Sequence, residues 1–237
     1  QGFLANSTGF IDRLPVDMWV MSRGTPNFDM AHGIPRSTVH RVLSVDGVQW
    51  AEEMIVSWGV WRTPEGKQEN VEVVGLVSGG HLTIPWTVTP RHAAGLPERD
   101  GVIIDEAEKC RLGVSCLGDE MEMAGHGVRI VGFTQGLRSF TTNPYILMRL
   151  EDADAVQLQG GGVTYVAVKA GAGVGHKALQ ERLRGRLPEY DVLTASEFAG
   201  RTRHYWLFTT GVGTAFLMAA LMGFLVGAAV VSQVLYA

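Results

Sequence analysis

The chain has few of the residues that mark disulfide scaffolds and nucleic-acid-binding proteins. Cys110 and Cys116 are the only cysteines among 237 residues, too few for a disulfide scaffold. Whether these two cysteines pair with each other stays open. The formal net charge is −4, and the lysines and arginines form no basic stripe. Nucleic acid is therefore not an expected partner.

Sequence patterns for metal, cofactor and catalytic sites are also missing. The seven histidines show no HxH or HxxxH spacing, which argues against a zinc site. The segment GAGVGHK at residues 171–177 lacks the spacing of a phosphate-binding loop. Sequence neighbours such as Glu52 and Glu53 point apart, so they do not make a catalytic pair. We expect no catalytic residue, no metal and no cofactor.

Charge is missing altogether from the end of the chain. All 20 basic and 24 acidic residues lie between Asp12 and Arg203, and residues 206–237 contain no histidine either. A bilayer core needs about 20 apolar helical residues. Residues 206–237 therefore predict a transmembrane helix in the lipid bilayer. A buried helix of a soluble protein is the alternative, but such helices rarely exceed about 20 residues.

The sequence starts at Gln1 without an initiator methionine and stops at the edge of the apolar run. Residues 1–8 are polar enough to be the exit of an upstream segment. We expect them to follow an earlier membrane span.

Residues 9–193 show the mixed periodicities of an α+β domain. Alternating apolar residues predict a strand at residues 16–21, and a short helix follows Ser37. Two further strands, residues 50–61 and 70–76, are joined by the turn residues 63–66 and predict a hairpin.

A second strand–helix–strand unit is predicted at residues 163–168, 174–187 and 191–193. It could mirror the first unit, as in split α+β folds.

Between these units, residues 78–150 predict an inserted β-rich lobe. The residues VIID at 102–105 form a short buried strand, and Gly113 ends the helical turn that follows. Residues 121–124 and 128–133 predict a hairpin across a turn at residues 125–127. Such compact hairpins are typical of a small barrel or sheet.

The junction between the domain and the apolar stretch carries a helix-start signal. Residues 194–197 read TASE, a capping box with Thr194 at the N-cap and Glu197 at N3. No proline follows Pro188. We therefore expect one unbroken helix from Ala195 to Ala237, with residues 194–205 as a stalk. The residues predicted to lie at the membrane interface are Arg201, Arg203, Tyr205 and Trp206.

Small residues recur every fourth position in the apolar stretch. The row is formed by Gly211, Ala215, Ala219, Gly223 and Gly227. Small residues let helix backbones approach closely in lipid, where little hydrophobic force drives association. The row predicts a partner helix, from the same protein or a second copy. Because small residues are common in membrane spans, a chance pattern is the alternative.

Taken as a set, several collinear segments resemble the permease subunit of DevC-type ABC exporters, related to MacB and FtsX permeases. These segments are FIDRLPVDMWVM (10–21), RVLSVDGVQWAEEM (41–54), WRTPEGKQENVEVVG (61–75), DGVIIDE (100–106), VRIVGFTQGLRSFTTNPYIL (128–147) and LTASEFAGRTRHYWLFTTGVG (193–213).

The resemblance implies a MacB-like periplasmic domain of two lobes, followed by a transmembrane helix. One is a βαβ-containing, porter-like lobe, and the other is the β-rich lobe inserted into it. The family has four spans, and these residues would run from just after the first span through the second. Residues 9–203 would then be periplasmic, on a multi-pass protein of the inner membrane.

The resemblance also implies a non-catalytic, homodimeric permease driven by a separate cytoplasmic ABC ATPase. Its further partners would be a periplasmic adaptor and an outer-membrane channel. The expected role is to transmit the ATPase-driven movement to the periplasmic domain, which exports an amphiphilic or lipid-like substrate. The alternative is an FtsX-like membrane regulator of a periplasmic cell-wall hydrolase.

Replacing Gly223 and Gly227 with leucine tests the small-residue row. The larger side chains hold a neighbouring helix away, so we expect weaker helix association and a loss of oligomer on blue-native gels. An undisturbed oligomer would mean that this row faces lipid.

Overall fold

The computed structural model describes residues 7–96, 98–157 and 162–236. Residues 1–6, most of the predicted upstream segment, therefore lie outside the described residues. The elements are α1 (Gly9–Arg13), β1 (Met18–Ser22), α2 (Thr38–Leu43), β2 (Val48–Arg62), β3 (Gln68–Leu76), β4 (Val88–Thr89), β5 (Gly101–Asp105), α3 (Lys109–Leu112), β6 (Glu120–Met123), β7 (His126–Thr134), β8 (Tyr145–Arg149), α4 (Leu150–Val156), β9 (Tyr165–Ala170), α5 (His176–Arg186), β10 (Tyr190–Thr194), α6 (Ala195–His204) and α7 (Val212–Tyr236).

One lobe is a four-stranded sheet in the order β10-β1-β9-β2, with every neighbouring pair antiparallel. Strand β9 lies between β1 and β2, and β1 lies between β9 and β10. The two strand–helix–strand units are therefore interleaved, and α2 and α5 cover the same side of the sheet. The prediction of a split α+β arrangement is confirmed.

The other lobe is a ring of six strands. Strand β3 pairs with β2 and β8, β5 pairs with β8 and β7, and β6 closes the ring between β7 and β2. The closing pair places Trp61 opposite Met123. A closed ring leaves no unpaired edge among these strands, which protects a small lobe from edge-to-edge association.

Strand β2 belongs to both lobes. Its first half pairs with β9, and its second half pairs with β3 and β6. The apolar side chains on its two sides enter two separate cores. One core includes Ile55 and Trp61 with the leucines of α5, and the other includes Met54 and Val56 with the aromatic residues under α6.

The structure corrects the predicted unbroken helix. Helix α6 passes into a π-helical turn at Tyr205–Thr209, the backbone bends at Thr210 and Gly211, and α7 starts only at Val212. Gly211 has φ of +77°, a left-handed conformation that glycine adopts without strain. A bend of this kind needs no proline. The absence of proline therefore does not predict an unbroken helix.

Helix α7 is the element that can cross a membrane. In the described residues, one helix, Gly213–Tyr236, is long and apolar enough to span a bilayer, and none of it is buried within the protein. The mixed α+β domain followed by a long apolar helix confirms the predicted fold class.

Other local predictions were incomplete or wrong. Strand β8 and helices α1 and α4 were missed, in part because the apolar run of β8 leads into α4 without a turn residue. The β6–β7 turn consists of Ala124 and Gly125, both with positive φ, so His126 and Gly127 are strand residues. Ser37 precedes α2 but makes no capping hydrogen bond.

Gly75 is the position where β3 and α4 approach most closely. A Cβ atom there would lie 2.5 Å from Cβ of Ala153 and 3.3 Å from Cα of Leu150. Gly75→Ala should therefore lower the free energy of unfolding by about 1–3 kcal/mol through overpacking.

The matched control is Gly200→Ala in the middle of α6, where no atom lies within 4 Å of an added Cβ. This change should raise helix stability by about 0.5–1 kcal/mol. Chemical denaturation measures the free energy of unfolding of both variants. Equal changes in the two variants would contradict the close packing at Gly75.

Candidate functional site at the membrane junction

Helix α6 starts at a capping box that also ties it to α5. The Thr194 hydroxyl accepts a hydrogen bond from the N–H of Glu197 at 3.2 Å, and the Glu197 carboxylate accepts the N–H of Thr194 at 2.9 Å. The buried amide of Gln180 on α5 donates to the same carboxylate at 2.5 Å. The first turn of α6 is thus fixed both by its own cap and by a neighbouring helix.

The buried side of α6 lies on a cluster of aromatic rings. Phe198 is fully buried, with its ring centroid 6.0 Å from that of Trp19, 5.6 Å from that of Tyr165 and 6.4 Å from that of Phe28. Each such pair contributes about 0.5–1.5 kcal/mol beyond its buried area. The cluster therefore holds α6 against the domain much more firmly than ion pairs alone would.

Two arginines of α6 are engaged by carboxylates of the domain. The guanidinium of Arg201 lies 2.6 Å from Asp191, and that of Arg203 lies 3.4 Å from Asp12 on α1. Surface pairs of this kind are each worth about 0–1 kcal/mol. Their contact with lipid headgroups, predicted from the sequence, stays a prediction.

The π-helical turn Tyr205–Thr209, the junction segment, rests on two loops of the domain. The ring of Trp206 lies 4.5 Å from that of Phe140, and the hydroxyl of Tyr205 lies 3.5 Å from the sulfur of Met30. The junction segment is therefore packed on the domain, whereas α7 beyond it is exposed along its length.

The predicted row of small residues is split by the bend. Gly211 lies in the bend itself, while Ala215, Ala219, Gly223 and Gly227 lie on α7, on the exposed surface that the lipid or a partner helix would cover. No atom of the described residues lies within 4 Å of a Cβ added at Gly223 or Gly227.

Two carboxyl groups are buried beneath the junction segment. Asp29 belongs to the short 3₁₀ helix Phe28–Met30, and Glu72 lies in β3; their exposed fractions are 4% and 0%. The hydroxyl of Tyr145 donates to Asp29 at 3.4 Å, and the hydroxyls of Ser139 and Thr141 both donate to Glu72 at 3.4 Å. These hydrogen bonds are long and weak.

Burial raises the pKa of Glu72 well above its usual range, and the neighbouring Asp29 charge adds to the effect. Burial also raises the pKa of Asp29, although hydrogen bonds from Glu72, Tyr145 and Trp206 partly oppose the increase. The pair therefore keeps a proton at pH values where ordinary carboxyl groups are ionised, with Glu72 as its main holder.

Sequence reasoning missed this pair. Glu72 interrupts the apolar run VEVVGL, and an acidic residue in a strand of that kind is a signal that a buried polar group is present. Asp29 gives no comparable signal, because its segment shows no helix or strand periodicity against which a polar residue would stand out. Only the tertiary structure brings the two side chains together.

The two cysteines are not joined by a disulfide in this structure. The thiols of Cys110 and Cys116 are both free and exposed. Across residues 7–96, 98–157 and 162–236, no group of three histidine, cysteine or acidic side chains is arranged to hold a metal ion.

No protein-family model and no curated protein matches this sequence. Several solved structures, however, are similar to this chain. The periplasmic region of MacB from Actinobacillus actinomycetemcomitans superposes with a TM-score of 0.53 at 13% identity, covering 83% of this chain and 95% of that structure. The extracellular domain of the noncanonic ABC-type transporter YknZ from Gram-positive bacteria gives a TM-score of 0.51 at 17% identity, covering 75% of this chain and 98% of that domain.

Both structures are nearly fully covered, so the likeness extends over the whole two-lobed domain. At these identities the likeness establishes the fold, which is that of MacB-like periplasmic domains followed here by a long apolar helix.

Thr194→Ala tests the contribution of the cap to the junction. Loss of the side-chain acceptor leaves the N–H of Glu197 without its partner, so the free energy of unfolding should fall by about 1 kcal/mol. Ser115→Ala, an exposed serine-to-alanine change in a loop of the domain, is the control and should have a much smaller effect. Equal losses in a denaturant titration would show that the cap is not what fixes α6.

Proposed function

We propose that this chain is part of the permease subunit of an ABC-type export system. In this proposal the two-lobed domain is extracytoplasmic, and α7 is one of several spans of a multi-pass inner-membrane protein of the DevC type. The observation that carries the proposal is the likeness of the whole domain to the extracytoplasmic domains of MacB and YknZ, combined with the apolar helix that directly follows it.

The junction supports a mechanical role for the domain. Helix α6 is held to the domain by its cap, its aromatic contacts and two ion pairs, so it moves with the domain as one body. Helix α7 is separated from α6 by the bend at Gly211. A movement of α7 in the membrane reaches the domain through the packed junction segment, not along one continuous rod.

The proposed partners follow from this role. A separate cytoplasmic ABC ATPase supplies the movement, and a second copy of the permease pairs with the first. A periplasmic adaptor and an outer-membrane channel receive an amphiphilic or lipid-like substrate. The permease itself performs no catalysis in this scheme.

Copurification tests the proposal. The full-length protein, expressed with its genomic neighbours and solubilised in mild detergent, should bring down an ABC ATPase and an adaptor. Recovery of a cell-wall hydrolase in place of the adaptor would replace export with the FtsX-like regulatory role. Recovery of neither an ATPase nor an adaptor would contradict the proposal.

Inserting two glycines after Gly200 tests the mechanical role. The insertion lies between Glu197 and Arg203 and separates the capped first turn of α6 from the junction segment. We expect substrate export to be lost while ATP hydrolysis and assembly continue.

The matched control places the same two glycines in the exposed β2–β3 turn next to Gly66, where an added Cβ would meet no atom. This variant should export normally. Normal export by the Gly200 insertion would show that α6 does not transmit force.

A further inference from the structure

The carboxyl pair Asp29–Glu72 has no compensating cation. In the described part of the chain, neither carboxyl group makes an ion pair with lysine, arginine or histidine, and the polar groups that face them are uncharged. These groups are Ser139 and Thr141 in the loop before β8, Tyr145 on β8, Tyr165 on β9 and Trp206 in the junction segment.

Two buried carboxylates in contact cannot both carry a charge without a large cost in free energy. At least one proton must therefore be retained for the pair to stay buried. With Glu72 protonated, it donates to Asp29, and the single remaining charge is shared by the pair. In this singly protonated state, the two carboxyl groups form one hydrogen-bonded unit.

Nε1 of Trp206 is a buried donor without a well-formed hydrogen bond, and Oδ2 of Asp29 and Oε1 of Glu72 accept none from the other described groups. The proton held between the two carboxyl groups therefore supplies the hydrogen bond that is left to these oxygens. Nε1 of Trp206 is close enough to Asp29 to lower its pKa, but the geometry falls short of a good hydrogen bond. A small displacement of the junction segment changes which of these atoms are satisfied.

The junction segment is a suitable element for such a change. A π-helical turn is rare and frequently marks a functional site. The bend at Gly211 follows immediately, so the regular hydrogen bonding of α7 starts only beyond this segment. Its position depends on the contacts that Tyr205 and Trp206 make with the domain.

We infer that Asp29 and Glu72 form a proton-binding site that keeps the junction segment packed on the domain, and that loss of the proton releases this segment. A second negative charge beneath Trp206 is relieved when the segment moves and water reaches the carboxylates. The site thus makes the connection between domain and membrane helix depend on extracytoplasmic pH. This inference adds regulation to the proposed export role but is testable without transport.

Fluorine NMR of the chain in lipid nanodiscs reports the junction segment directly. Tryptophans are labelled as 5-fluorotryptophan, and Trp206 is assigned by comparison with Trp206→Phe. We expect the Trp206 resonance to move in one transition whose midpoint lies above the ordinary carboxyl pKa of about 4. The resonance of Trp61, in the core of the closed ring, should not follow that transition.

Variants then identify the group that titrates. Glu72→Gln mimics the protonated acid and should abolish the transition, leaving Trp206 at its acid-side position. Asp29→Asn removes the neighbouring charge and should lower the midpoint. Glu69→Gln on the same strand should leave it unchanged, because Glu69 is paired with Arg111 at 3.0 Å and with Lys67 on the surface.

A wild-type protein without a transition, or a Glu72→Gln variant that keeps it, would overturn the inference. A midpoint that depends on sodium concentration would also overturn it, because the site would then bind a metal cation.

The melting temperature measured as a function of pH gives a second, independent test. The pKa of Glu72 is raised in the folded protein, so its contribution is complete below the ordinary carboxyl pKa and is lost as the pH rises through the raised value. Glu72→Gln should therefore raise the melting temperature at alkaline pH and change it little at acidic pH.

Glu69 serves as the control, because its pKa is shifted in the direction opposite to that of Glu72. The pKa of Glu69 is lowered by hydrogen bonds from Lys67 and Arg111, so its contribution is present above the ordinary value and is lost as the pH falls. Glu69→Gln should slightly lower the melting temperature at neutral and alkaline pH and leave it nearly unchanged at acidic pH. Equal destabilisation by Glu72→Gln at every pH would show that the contribution of Glu72 does not depend on its protonation and would contradict the proton site. Neither measurement involves export, so this inference and the proposed function fail separately.

Discussion

Strand β2 provides backbone hydrogen bonds to both lobes, and the positions of all other elements follow from it. Its first half completes the split α+β sheet with β9, and its second half closes the six-stranded ring with β3 and β6. A hydrogen-bonded strand resists bending between its two ends. The lobes therefore keep a fixed relation along β2 and share two cores, one on each side of this strand.

The same strand connects the core to the membrane junction. Residues on one side of β2 contact the aromatic cluster that receives Phe198 of α6, so the stalk rests on the side chains that hold the lobes together. The bend at Gly211 limits this rigidity to the domain side. In the proposed permease, a domain that moves as one body and is joined to the apolar helix by a packed turn suits a subunit that receives movement from elsewhere.

The buried carboxyl pair lies between the strand that connects the lobes and the junction segment, and this position gives a reason for its presence. A buried charge without a partner lowers stability, and a replacement by apolar residues would pack better. Glu72 lies on β3, next to the strand that fixes the lobes, and Asp29 lies under the junction segment. In the inferred proton site, their position couples an electrostatic imbalance to the junction segment that connects the domain with α7.

The sequence by itself determined the features that depend on neighbours along the chain. Periodicity placed most strands of the split α+β unit, the TASE pattern placed the start of α6, and the apolar run placed α7, because each signal lies within a few residues or one continuous segment. Tertiary structure alone decided the parallel pairing of β3 with β8, the bend at Gly211 and the contact of Asp29 with Glu72. The strand pairing and the carboxyl contact depend on groups far apart in sequence, whose packing and desolvation energies exist only once the chain has folded. The bend depends on the backbone conformation of Gly211, which glycine permits but does not require.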